Sequence, residues 1–318
     1  MCKHGLSKDA LVVRKYRRTG ADTLIAMANL AVFLRKRGDL EEAESLFRRA
    51  LAGFRTTSGR DHANTLSITK ALARLLERQK RLREAELFTR EAYAILQRTK
   101  GDADPETIKL MDWLHKQLRQ QKKTAEAQVV AEQALPALRT DLGWDHPQTI
   151  RVTFRLVRLL REQSKYAAAQ AVAEQTLPHY RDELSSVHPD TLRITNTLAM
   201  IHQNRDRLAE AERLYRLVVR DARRASLSSE QVGVYLSNHG QCLMRLERFE
   251  DAEVVLHDAH VQLSEAVGPQ HRKTRKVIEY FVSLYDEWNK PAQAAEYRAL
   301  LSASEKDTAA GRANRDGG

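Results

Sequence analysis

The sequence predicts an all-α fold, a solenoid of about seven helix hairpins, and three observations predict it. Threonines stand at 23, 65, 107, 149 and 191, each 42 residues after the one before, and again at 274. Alanines keep the same spacing at 43, 85, 127, 169 and 211, and recur at 252 and 294. Ala, Leu, Arg, Glu and Gln dominate the composition, all good helix formers, with thirteen glycines and seven prolines as punctuation in 318 residues. Two residue types held at one period over most of a chain define a repeat array, whose core is divided into local pieces.

The first block shows the unit. With Thr23 as position 0, apolar or small residues fall at Leu24, Met27, Leu30, Ala31 and Leu34, the spacing of a helix with one buried face. Gly38-Asp39 breaks it. A second periodic stretch runs from Leu40 to Phe54 through Ala43, Leu46, Phe47, Ala50 and Leu51. Glu41, Glu42 and Glu44 open it, where carboxylates suit the helix dipole. Ser58 to His62 form the return loop.

Later blocks repeat the pattern. Position 7 carries Leu30, Leu72, Leu114, Leu156 and Leu198; position 11 carries Leu34, Leu76, Leu118, Leu160, His202, Leu243 and Tyr285. Position 8 is mostly small: Ala31, Ala73, His115, Val157, Ala199 and Gly240. Facing the alanine at position 20, a small residue lets two helices approach closely, whereas a bulky one would wedge them apart. The loops carry Asp145-His146-Pro147, Val187-His188-Pro189, Asp104-Pro105 or Asp61-His62-Ala63. Proline in a first helical turn costs no hydrogen bond. The sixth block slips by one residue and has lost both the Pro and the Thr.

Small residues at positions 8, 20 and 27 and large ones at 7, 11 and 24 resemble the tetratricopeptide repeat. The 42-residue period, with His-Pro-x-Thr before the first helix, is similar to its kinesin light chain variety. The resemblance covers roughly Ala21 to Leu301 and implies a right-handed superhelix of seven repeats, starting near residues 21, 63, 105, 147, 189, 230 and 272. His115, His202 and His239 on apolar positions, and Thr89 and Arg298 at position 24, depart from the pattern. Residues 1–20 read as a partial or capping helix with a short loop. Residues 303–318, small and polar, read as a disordered tail. The closing stretch Trp288 to Leu301 is similar to that of bacterial serine/threonine kinases that carry such repeats.

Composition narrows the function classes. Net charge is +11, which attracts anionic partners without choosing among them. Two cysteines without a CxxC spacing argue against a disulfide framework or zinc site and fit a reducing, cytoplasmic compartment. There is no secretory apolar run at the start, and no segment approaches eighteen consecutive apolar residues. His62, His146, His188 and His271 each precede a first helix, a repeat apart, too far to share a metal. His257 and His260 sit at i and i+3 with no further ligand cluster. No phosphate-binding Gly-rich loop, nucleophile elbow or metalloprotease motif is present, and Arg220-Asp221 stands without the rest of a kinase catalytic loop. A non-catalytic chain with no cofactor and no metal is expected.

In the resembled family the first helices line a concave groove, with positions 2, 5, 9, 12 and 13 pointing into it. Over repeats 1–4 those positions hold Arg35, Lys36, Lys70, Arg74, Arg78, Lys109, Lys116, Arg119, Arg151, Arg158 and Arg161, opposed by Glu77, Asp112 and Glu162. Repeats 5–7 are balanced there: Arg193, Arg245 and Lys276 meet Glu279, Asp286 and Glu287. The family's ligand-holding asparagine at position 6 survives as Asn29 and Asn238. Trp113 and Phe154 offer aromatic pockets among the cations or pack between repeats. The expected function is a scaffold whose basic groove binds an acidic, partly extended segment of a protein partner. The alternative is a regulatory or substrate-docking region separated from a bacterial serine/threonine kinase. A membrane partner is not expected, nucleic acid is disfavoured by the few aromatics, and oligomeric state is not encoded in a legible way.

Overall fold

The computed structural model describes the backbone of residues 20–313 and the side chains of residues 20–302. All fourteen helices among the described residues pair as hairpins, and no strand occurs among them. The first compact unit, residues 1–143, holds α1 (Gly20–Arg37), α2 (Leu40–Thr57), α3 (Ala63–Arg78), α4 (Leu82–Lys100), α5 (Pro105–Gln120) and α6 (Thr124–Leu142). The second, residues 144–318, holds α7 (Pro147–Glu162), α8 (Tyr166–Glu183), α9 (Pro189–Asn204), α10 (Leu208–Arg224), α11 (Ser229–Arg245), α12 (Phe249–Val267), α13 (Arg272–Glu287) and α14 (Pro291–Ala313). The all-helical hairpin architecture agrees with the expected fold class. The segment expected to cap the array lies outside the described residues up to residue 19.

One expectation is corrected. α14 runs on through Ala313, so residues 303–313 of the supposed tail are helical backbone. Ala, Glu and Lys there have high helix propensity, and a helix already nucleated by tertiary packing propagates at little cost.

The periodic residues explain the hairpin. Each alanine at position 20, Ala43 to Ala294, is fully buried. Position 8 is fully buried at Ala31, Ala73 and Ala199, and a Cβ on Gly240 would lie 2.5 Å from Leu256 Cδ2, so in the sixth repeat the leucine would have to shift to admit one. The periodic threonine anchors the loop to the helix. Thr65 Oγ1 donates to Gly59 O at 2.7 Å, Thr274 Oγ1 to Gly268 O at 2.8 Å, and Thr191 Oγ1 to Tyr180 O at 3.1 Å.

The loop histidines turn out to be helix N-caps. Nδ1 of His62, His146 and His188 accepts from the backbone two residues on at 3.2 Å, and that of His271 at 3.3 Å. Asp104 does the same work in the third repeat, accepting from Glu106 N and Thr107 N, and Ser228 replaces histidine in the slipped sixth. Each cap satisfies an amide that the first turn leaves orphaned.

The tight turn inside every hairpin was legible only once. Position 15 is left-handed in all seven repeats: Gly38, Lys80, Lys122, Ser164, Asp206, Glu247 and Asn289. The amide at position 16 then reaches back to the carbonyl of position 11, as Arg81 to Leu76 and Lys165 to Leu160, each at 2.9 Å. This closes the first helix with a Schellman-type bond. Only the first repeat spends a glycine there.

The first face of the array differs from the rest. Leu30 and Phe33 of α1 are 41% and 59% exposed, while their counterparts Leu72, Leu75 and Leu114 in the same unit are 0% exposed beneath the preceding hairpin. At the other end of the second unit, Phe281 of α13 stacks on Tyr297 of α14 with centroids 4.4 Å apart, and Tyr285 and Trp288 extend the stack. His115, His202 and His239 occupy apolar positions and are 7–8% exposed. Burial lowers the pKa of His239, working against Glu212 beside it, and the ring stays neutral more readily. Thr89 is buried and back-bonds to Ala85 O, while Arg298 pairs with Asp286.

Candidate cation-rich faces on the first helices

Among first helices, α1 contacts α3 in the first unit, and α7, α9, α11 and α13 contact one another in succession in the second. In the first unit Lys70, Arg74, Lys109 and Trp113 line a pocket of about 690 Å³ with Glu77, Asp104, Glu106 and Leu110. The Arg74 guanidinium lies 5.7 Å from the Trp113 ring, and the indole Nε1 donates to Glu77 at 2.8 Å. Trp113 thus packs between repeats and walls a pocket at once. Lys70 pairs with Glu106, which Lys100 also reaches at 2.8 Å. Hydrogen bonds from Lys100 and Lys70 hold the Glu106 carboxyl down at about 2. Arg78 Nη1 donates to Arg35 O at 3.1 Å. Asn29, Arg35, Lys36, Arg78, Lys116 and Arg119 lie outside this pocket's lining.

In the second unit Arg151, Phe154 and Arg158 line a pocket of about 630 Å³. Arg155, Arg193, His188, Asp145 and Asp190 complete it, and Arg161 is outside. Arg193 stacks on Phe154 at 3.5 Å while donating to Asp190 at 2.9 Å. Four arginines and two aspartates line one cavity. Arg155 and Arg193 were not among the expected site residues. Arg193 belongs to the next repeat, and counting positions repeat by repeat separates it from the Phe154 it covers. Asp104 and Glu106 were missed because they precede the periodic threonine. Asn238 Nδ2 donates to Asn196 Oδ1 at 3.2 Å, while Asn29 is exposed.

The second helices treat charge differently. There, cations meet carboxylates of the adjacent repeat: Arg48 with Glu84 at 3.0 Å, Arg55 with Glu91 at 2.6 Å, Arg90 with Glu126 at 2.7 Å, and Arg81 with Glu44 at 2.6 Å. On the first-helix faces Arg35, Lys36, Lys109 and Lys116, and in the second unit Arg161, have no side-chain hydrogen bond or ion pair among the described residues. Arg74 has only its indole. No group of His, Cys, Asp and Glu among the described residues could hold a metal ion, and no described helix is long and apolar enough to cross a membrane.

Models of the tetratricopeptide repeat match residues 22–98 and 191–226. The chain contains tetratricopeptide repeats. No protein with a curated description matches it. Among solved structures, the apo form of RapI is similar in fold, with 11% identity, 91% of this chain and 99% of that chain covered, and a TM-score of 0.54. A Pyrococcus horikoshii STAND-type signal transduction ATPase with a tetratricopeptide repeat sensor matches at 11% identity and TM-score 0.58, covering 96% of this chain and 47% of that one. The nearly identical repeats of a Podosopora anserina protein described as a kinesin light chain match at 21% identity, with 66% and 99% covered and a TM-score of 0.44.

Proposed function

We propose that the chain is a non-catalytic, cytoplasmic protein–protein interaction scaffold whose first-helix faces in repeats 1–4 take an acidic segment of a partner. The observation that carries this reading is the contrast in charge pairing over the first repeats. Arg48, Arg55 and Arg90 of the second helices are matched by carboxylates one repeat away, whereas Arg35, Lys36, Lys109, Lys116 and Arg161 of the first helices are left unmatched. Unmatched like charges repel one another, and an anionic ligand relieves that cost. Arg74 on Trp113 and Arg193 on Phe154 are held by aromatic faces, which positions their guanidinium forks for carboxylates at reduced entropic loss.

The reading is tested by binding of labelled poly-L-glutamate to the full chain and to a variant carrying Arg74→Glu, Lys116→Glu and Arg158→Glu. Affinity is expected to fall by about tenfold or more, with a shallower salt dependence. Equal affinity and salt slope for both proteins sink the idea. Tighter binding of random RNA than of poly-L-glutamate at physiological salt would replace it with a nucleic-acid function.

A further inference from the structure

Ion pairs in two registers tie consecutive second helices together at three junctions, and between α8 and α10 neither register is filled. Position 32 of one repeat pairs with position 26 of the next, as Arg55 with Glu91 and Arg223 with Asp258. In the fourth and fifth repeats those positions hold Arg181 and Leu217. Position 25 likewise pairs with position 19 ahead, as Arg48 with Glu84 and Arg90 with Glu126. Here both are acidic, Glu174 and Glu210. No bridge therefore spans α8 and α10 by this register.

A pocket of about 680 Å³ opens in that place. Leu177 of α8, Leu198 of α9 and Leu214 and Leu217 of α10 make it apolar, and Arg181 and Arg213 stand over it. Neither arginine has a hydrogen bond or ion pair among the described residues. Arg216 and Arg220 also line it but have carboxylates of their own, Glu212 at 3.8 Å and Asp221 at 2.8 Å, and Glu210 is the one carboxylate in the lining. His202 fills position 11, where other repeats carry an apolar or aromatic residue. It is 8% exposed and lines the pocket, and its Nδ1 is buried without a partner.

We propose that the pocket between α8 and α10 is a second docking site, for a partner segment that presents a carboxylate beside an apolar side chain. The carboxylate takes the place that Glu91 and Asp258 fill elsewhere and pairs with Arg181 and Arg213. The apolar side chain packs on Leu177, Leu214 and Leu217. Phosphate alone would leave the leucines uncovered, and a nucleobase would find no aromatic surface to stack on. Of the first-helix residues only Leu198 and His202, at positions 7 and 11, line the site, and none of its lining residues belongs to the two first-helix pockets, so it is independent of the function proposed for them.

The test uses the full chain and a short fluorescein-labelled peptide of alternating Glu and Leu, followed by anisotropy. Arg181→Glu combined with Arg213→Glu is expected to weaken binding by about tenfold or more. Leu217→Glu, which restores the register seen at Arg55–Glu91, should close the site and bind as weakly while folding at least as well. A first-helix variant, Lys116→Glu with Arg158→Glu, should leave the part of binding that Leu217→Glu removes. Unchanged affinity in Leu217→Glu, or an alternating Glu and Ser peptide binding equally well, would overturn the proposal. Full competition by millimolar inorganic phosphate would overturn it too, by showing a site for free anions.

Discussion

Single residues in this chain carry conformations that their identity does not advertise. Seven residues at position 15 are left-handed, and six of them have a Cβ. An L-residue pays about 1–2 kcal/mol for that backbone, which glycine avoids. Glu247, at φ 57°, is exposed and offers the cleanest test. Glu247→Gly is expected to raise the free energy of unfolding by about 0.5–1 kcal/mol once the glycine's extra unfolded-state entropy is counted, read from the urea midpoint. An unchanged or lower midpoint would mean that the side chain contributes something at that turn. Glu106 supplies a pH dependence. Its folded pKa is depressed to about 2 from an ordinary 4.5 by Lys100 and Lys70. A depressed carboxylate contributes stability that is present above the unfolded value and lost as pH falls from 4.5 towards 2. Glu106→Gln should therefore unfold more easily than the natural protein at pH 7, and the gap should close as pH approaches 2. A gap independent of pH would assign the loss to packing instead of charge.

At the scale of the helix, position in the array decides what the same residue contributes. Leu75 and Phe33 share position 10, yet Leu75 is wholly buried and Phe33 is 59% exposed. Leu75→Ala opens a cavity between α3 and its neighbours and is expected to cost about 2–5 kcal/mol. Phe33→Ala should cost under about 1 kcal/mol, because little packed surface is lost. Chemical denaturation of both variants checks the pair, and equal costs would mean that the α1 face is covered in solution. The helix scale also explains the loop histidines. Four imidazoles that metal chemistry would have tempted one to group are each a cap on a separate helix. The residue type at the cap varies among His, Asp and Ser, while the hydrogen bond it accepts does not.

At the scale of the whole molecule, the hairpin array was readable because its causes are local and repeated. Alanine at position 20 and threonine at position 0 recur in the chain because each hairpin needs one close helix approach and one loop anchor. The cationic bias of the first helices was readable for the same reason, since a period carries equivalent positions to one face. The partners of those cations were not readable. Whether Lys70 is matched depends on Glu106, 36 residues on in the next repeat, and whether Arg181 is matched depends on Leu217. Arg193 over Phe154 joins two repeats that a position-by-position count keeps apart. Period, hairpin and charge bias thus follow from the order of residues alone, because helix propensity and amphipathic spacing act over a few turns. Which charges are left unsatisfied, and where a pocket opens between second helices, follows only from side chains brought together by stacking, because pairing is a matter of distance in space.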